Sequence, residues 1–155
     1  MTSSSLNPSA ISQPTLYDRD FYLWLQTTIN HLQTGQMSEV DWVNLIEELE
    51  SMGRSEKQAL QSNLQVMLIH LLKYQFQPEQ RSNSWRFTLL EHRDRLEVAL
   101  EDSPSLHPYL SEILNRCYTK ARKKAATETG LPIDTFPPEL PFTLEEILSP
   151  DYLPE

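Results

Sequence analysis

The chain has 155 residues, 13 Lys and Arg against 22 Asp and Glu, and a formal net charge of −9 at pH 7. That length suits a single domain able to bury a core without staples, and the acidic balance argues against bulk binding to nucleic acid or anionic membrane, which ask for a basic face. A single cysteine, Cys117, excludes an intrachain disulfide and a disulfide-rich secreted scaffold.

Residues 1–15, rich in Ser, Asn and Pro, predict a disordered tail ahead of a single helical domain over 16–155. With no positive charge ahead of an apolar core, the N-terminus does not read as a signal peptide. The most apolar stretch, 66–72, contains His70 and is far short of the ~20 residues a bilayer needs. No membrane partner is expected, and the expected location is the cytoplasm.

Asp18 is placed as the cap of a first helix to about residue 34, with Phe21, Trp24, Leu25, Ile29 and Leu32 on one face and Gly35 as its stop. Ser38, with Asp41 three residues on, is placed as the cap of a second helix whose Trp42, Leu45, Ile46 and Leu49 recur at helical spacing. Gly53 is expected to punctuate it. A third helix, about 55–77, is apolar almost all round and should be the central, most buried one. Pro78 ends it. A fourth helix is expected over about 84–100, with Trp85, Leu89 and Leu96 on its apolar stripe, and a fifth from the Ser103-Pro104-Ser105 turn to about 129. The last 25 residues hold six of the eleven prolines and cannot form a long helix. They predict an extended arm over 131–155 with one turn at Thr143–Glu146, and its apolar content predicts that it packs on the helices. The fold class is therefore all-α: a compact bundle of about five helices carrying a Pro-rich C-terminal arm.

The segments Leu16-Tyr-Asp-Arg-Asp-Phe-Tyr-Leu-Trp24, Leu45-Ile-Glu-Glu-Leu-Glu50, His70-Leu-Leu-Lys73, Ser84-Trp-Arg86, Pro104-Ser-Leu106 and Thr129-Gly-Leu-Pro132 follow one another in that order. The ending Pro137-Pro-Glu-Leu-Pro-Phe-Thr-Leu-Glu-Glu-Ile-Leu148 completes the series. In order and spacing, over about 16–155, they resemble the bacterial, largely cyanobacterial family filed under "domain of unknown function", number twenty-nine. The resemblance implies a compact helical domain and supplies no reaction, cofactor or catalytic residue.

Three constellations carry chemistry. Glu47 and Glu50 lie about 60° apart on one side of a helix and are weak metal candidates. Bundle-core metal sites add a Glu-x-x-His spacing that this chain lacks. A hairpin about Gly53 would also leave His70 about 16 Å away along the axis. His70, Lys73, Trp85 and Arg86 are better matched, because folding the fourth helix back about Pro78 puts them at one level. Three cations beside one aromatic face suit phosphate or carboxylate recognition. Arg116, Lys120 and Lys123 form a basic stripe, either salt-bridged or facing a partner. No Gly-rich phosphate loop, G-x-S-x-G, C-x-x-C or H-E-x-x-H occurs, so no cofactor and no catalytic residue is indicated.

Charge is strongly divided along the chain: acids dominate 39–56 and 129–155, and bases dominate 116–124. The first functional reading is a helical protein-interaction or self-associating domain, a homo-oligomer with complementary acidic and basic faces. The second is a nucleic-acid- or phosphate-acting enzyme at His70, Lys73 and Arg86. The third is a metal-dependent hydrolase using Glu47 and Glu50.

Overall fold

The computed structural model describes residues 14–155. Most of the expected N-terminal tail, residues 1–13, lies outside the described residues. Among the described residues there is no strand. The fold is all-α, with helices α1 (Leu16–Arg19), α2 (Phe21–Gln33), α3 (Trp42–Phe76), α4 (Asn83–Asp102), α5 (His107–Thr129) and α6 (Leu144–Leu148). The chain divides into two compact units, one ending at Ser51 and one over Met52–Glu155.

In the first unit the single helix expected from Asp18 is two. Asp20 takes an extended backbone, φ −151° and ψ 88°, and its Oδ1 accepts the Leu23 amide at 3.0 Å, so Asp20 is the cap of α2. Asp18 instead closes the first turn of α1, where its carboxylate accepts from the Thr15 hydroxyl at 2.9 Å. Gly35 ends α2 as expected, at φ +73°. The Gln36 amide reaches back to the His31 carbonyl at 2.8 Å and that of Gly35 to Leu32 at 3.3 Å, a pair that satisfies two orphan carbonyls.

The cap of α3 is Asp41 rather than Ser38. Its Oδ1 accepts the Asn44 amide at 3.3 Å, and its Oδ2 accepts Asn44 Nδ2 at 2.7 Å and the Trp24 indole at 3.3 Å. The Asn44 hydrogen bond is the main cause holding the Asp41 carboxyl below its usual range. Tyr17 and Phe21 pack on the Trp24 ring at 4.9 and 5.8 Å, and the Tyr17 hydroxyl donates to Glu48. Only Trp24, Thr28 and Val40 are buried among this unit's described residues.

The break expected at Gly53 does not occur. One helix of 35 residues runs through it. A helical glycine weakens a helix by about 1 kcal/mol against alanine without terminating it, and neither a proline nor a left-handed backbone accompanies this one.

In the second unit, Leu60, Leu64, Met67, Leu68, Leu71 and Leu72 of α3 are almost wholly buried, as the sequence predicts for the central helix. Leu89 and Leu96 of α4 and Leu110, Ile113, Cys117 and Ala121 of α5 complete the surrounding core. Ser82 caps α4 by accepting the Trp85 amide at 3.2 Å. Gly130, at φ +72°, ends α5. The arm is docked: Phe136, Phe142, Leu144 and Ile147 join the core. The expected turn at Thr143 is α6, opened by a reciprocal box in which Glu146 N donates to Thr143 Oγ1 at 3.1 Å and Thr143 N to Glu146 Oε1 at 3.0 Å.

One polar side chain holds the end of the arm. Arg93 lies on the same α4 stripe as Leu89 and Leu96, and is 5% exposed. Its Nε donates to the Ile147 carbonyl at 2.8 Å, Nη1 to Pro150 at 3.0 Å and Nη2 to Tyr152 at 3.0 Å.

Two outcomes follow from this architecture. A Cβ at Gly53 would meet nothing within 4 Å, so Gly53→Ala should raise stability by up to about 1 kcal/mol in urea unfolding; a loss would mean that the helix is interrupted there. Arg93→Met should cost at least ~2 kcal/mol, since it strips three carbonyls of their donor. Limited proteolysis should then cut first within 145–155, and an arm as resistant as in the unaltered chain would rule out this anchoring role.

Candidate functional site

The site expected at one level of α3 and α4 is partly assembled. Lys73 lies near the C-terminal end of α3 and Trp85 in the first turn of α4, and the Lys73 ammonium sits 4.7 Å from the indole centroid. Lys73 is 6% exposed. A buried ammonium needs a counter-charge and donors satisfied. Glu128, on α5, supplies both: its Oε1 accepts from Lys73 Nζ at 2.7 Å while the carboxylate stays half-exposed. The charge that the sequence offers to an anion is thus already matched, by a carboxylate on one side and a π face on the other.

His70, one turn earlier on α3, is half-buried, with Nδ1 2.9 Å from the Val66 carbonyl. A carbonyl only accepts, so Nδ1 carries the proton and Nε2 keeps its lone pair. Burial lowers the His70 pKa below the ordinary histidine value, with Lys73 adding to the effect and the Val66 carbonyl and Glu128 opposing it. His92 on α4 is arranged in the same way, its Nδ1 2.7 Å from Asn63 Oδ1, and burial lowers its pKa too. Both shifts favour the neutral ring, so burial disfavours either imidazole as a further cation.

The contacts of Arg86 are with a different group. Its Nη1 donates to Asn83 Oδ1 at 3.0 Å, its Nη2 reaches the Tyr74 hydroxyl at 3.4 Å, and its guanidinium lies 5.8 Å from the Tyr74 ring centroid. Arg81 joins it there, 4.3 Å from the same centroid, with Nε donating to the Tyr74 carbonyl at 2.7 Å. Sequence reasoning missed Tyr74 and Arg81. The available signal was an arginine on each side of the Ser82 cap, directly after a helix ending in tyrosine and phenylalanine. Arg86 also lines a shallow cleft with Leu89, Arg93, Pro150 and Asp151.

Glu47 and Glu50, the weak metal candidates, lie on α3 in the first unit. Among the described residues no group of three His, Cys, Asp or Glu side chains is placed to hold a metal ion. Glu48, between them, accepts the Tyr17 hydroxyl. With α3 continuous, His70 is on the same helix as Glu47 rather than on the return strand of a hairpin.

The basic run on α5 separates into two sets. Arg122 donates to the Phe136 carbonyl at 3.0 Å and lies 3.8 Å from Asp134, and Lys124 donates to Gln65 at 2.8 Å. Arg116, Lys120 and Lys123 are exposed, and among the described residues none of them makes an ion pair or a hydrogen bond through its side chain. The thiol of Cys117, about a quarter-turn round α5 from that stripe, is wholly buried, and burial pushes its pKa up, which suits an inert core residue.

No helix among the described residues is long and apolar enough to cross a membrane. No curated protein and no solved structure matches the chain. The model of the family described as "Domain of unknown function DUF29" matches residues 16–153, the span that holds the ordered series of motifs from Leu16 to Leu148, and the chain belongs to that family.

Proposed function

We propose that this chain is a helical interaction module that associates with a second copy of itself through the apolar face of its first unit. The observation that carries the reading is the exposure of that face. Trp42, Val43, Ile46 and Leu49 on the first turns of α3 are 47, 79, 51 and 59% exposed. Trp42, Ile46 and Leu49 recur at i, i+4 and i+7, the spacing of a stripe made to be covered. Phe21, Tyr22, Leu23 and Ile29 of α2 are exposed as well. Single exposed apolar residues are ordinary, but a run of this kind marks an interaction surface.

Charge supports a second copy as the occupant. Glu50 borders the stripe on α3, while among the described residues Arg116, Lys120 and Lys123 of α5 make no ion pair. Each copy therefore carries an apolar face with an acid at one edge and, among the described residues, an unpaired basic stripe. Complementary faces of this kind fix register and speed encounter more than they add affinity. Apolar burial supplies the driving force, against the general repulsion of two chains each at −9. The module works in the cytoplasm on this reading, where a lone thiol stays reduced.

Sedimentation velocity tests this. The full chain should show a concentration-dependent shift from monomer to a larger species in the micromolar range. Leu49→Glu should abolish the shift without altering the circular dichroism spectrum, because Leu49 is no part of the core. Replacing Arg116, Lys120 and Lys123 together by Gln should weaken association several-fold. A chain that stays monomeric throughout, or that associates equally well as Leu49→Glu, overturns the reading.

A further inference from the structure

We propose that Arg81, Arg86 and the hydroxyl of Tyr74 form a binding site for a phosphate group carried on a small molecule or free in solution. The two guanidinium groups lie 4.3 and 5.8 Å from one ring centroid, so they are no more than about 10 Å apart. Neither is neutralised. Among the described residues no carboxylate pairs with Arg81 or Arg86, and the first turn of α4 contains no acid. Asp151, which shares the cleft with Arg86, makes no ion pair with it. Two adjacent arginines that lack counter-ions gain from an anion that bridges them.

Donor geometry narrows the anion. Arg81 commits only Nε, to the Tyr74 carbonyl, which leaves both of its terminal nitrogens for a fork. Arg86 spends Nη1 on Asn83 and Nη2 on Tyr74, leaving Nε and the second hydrogen of each terminal nitrogen. Tyr74 is 6% exposed, and its hydroxyl accepts from Arg86 while its own proton has no acceptor among the described residues. A phenol so buried normally finds a partner for its proton. Three donor groups gathered around one tyrosine match a phosphate, which accepts through three or four oxygens. The overall charge of −9 disfavours a polyanion such as nucleic acid, whose binding draws on many phosphate contacts, and favours one phosphate on a small carrier.

This inference does not depend on self-association, and the failure of either leaves the other standing. Isothermal titration of the full chain with inorganic phosphate and with glycerol phosphate, against equal chloride, tests it. Saturable binding is expected for at least one of the two. Arg86→Gln, at an exposed position that should not disturb folding, is expected to weaken it roughly ten-fold, the scale of one charged hydrogen bond. Arg86→Lys should also weaken it, since the charge stays and the fork is lost. Tyr74→Phe, which keeps the ring for both guanidinium groups, should weaken it several-fold. Equal affinity for the two probes identifies free phosphate as sufficient, and tighter binding of the ester identifies a phosphorylated small molecule. Absence of saturable binding by either probe, unchanged affinity in Arg86→Gln, or tighter binding of a single-stranded oligonucleotide than of both probes overturns the proposal.

Discussion

The Arg93 guanidinium is the constraint on which the C-terminal third of the second unit depends. It is a charge placed at a core-facing position of α4, where burial lowers its pKa, and among the described residues no carboxylate pairs with it. Its cost is offset by three backbone carbonyls instead. The reason those carbonyls are available lies in composition. Prolines at 132, 137, 138, 141, 150 and 154 remove amide donors and forbid a long helix, so the arm satisfies only part of its own acceptors. Side chains from α4 and α5 satisfy others. Arg122 reaches Phe136 at 3.0 Å, Tyr118 reaches Pro137 at 2.5 Å, and Arg93 takes the last three. Polar anchoring fixes where the arm runs, and that placement seats Phe136 and Ile147, both fully buried, over the core.

The same logic explains which parts of the fold were legible. Periodicity found the long helices of the second unit, because Leu60, Leu64, Met67 and Leu71 recur at helical spacing. The box at Thr143 and the stops at Gly35 and Gly130 were legible because each rests on chemistry within a few residues. Gly53 was misleading. Glycine marks a helix end when the backbone turns left-handed, as at Gly35 and Gly130, and sequence does not state φ. Asp20 and Asp41 were missed as caps because Asp18 and Ser38 offer the same oxygen two and three residues earlier. At Asp41 the Trp24 indole adds a donor from seventeen residues away, a contact that no local pattern shows. Arg93 was missed because a charge on an apolar stripe contradicts the pattern that identifies the stripe.

Register between α3 and α4 was inferable, and it brought Lys73 to Trp85. Side-chain destination was not. Lys73 is claimed by Glu128, fifty-five residues on, and no local pattern points to so distant a carboxylate. Arg86 follows Tyr74 because side chains on a helix lean toward its N-terminus, which here means back toward the end of α3 and the turn that carries Arg81. The four residues grouped by height therefore divide by partner: an ammonium already matched, and a pair of guanidinium groups that are not. Charge left unmatched by the fold, rather than charge as such, is what remains to act on a ligand.

That distinction applies equally to apolar surface. The second unit packs its buried leucines into one core, though Phe87 and Leu90 of α4 stay exposed. The first unit buries only Trp24, Thr28 and Val40 among its described residues, yet carries Phe21, Leu23, Ile29, Trp42, Val43, Ile46 and Leu49 at its surface. At about 25 cal/mol per Å² of apolar surface removed from water, covering several of these side chains would stabilise by several kcal/mol. The regular helical spacing of Trp42, Ile46 and Leu49 is not what scattered surface exposure produces. Short-range polar contacts hold the unit in shape without a thick core: the Asp41 carboxylate joins Trp24 to Asn44, and the Tyr17 hydroxyl reaches Glu48. A unit built this way holds its apolar face in a fixed arrangement, which lowers the ordering entropy that covering the face would cost.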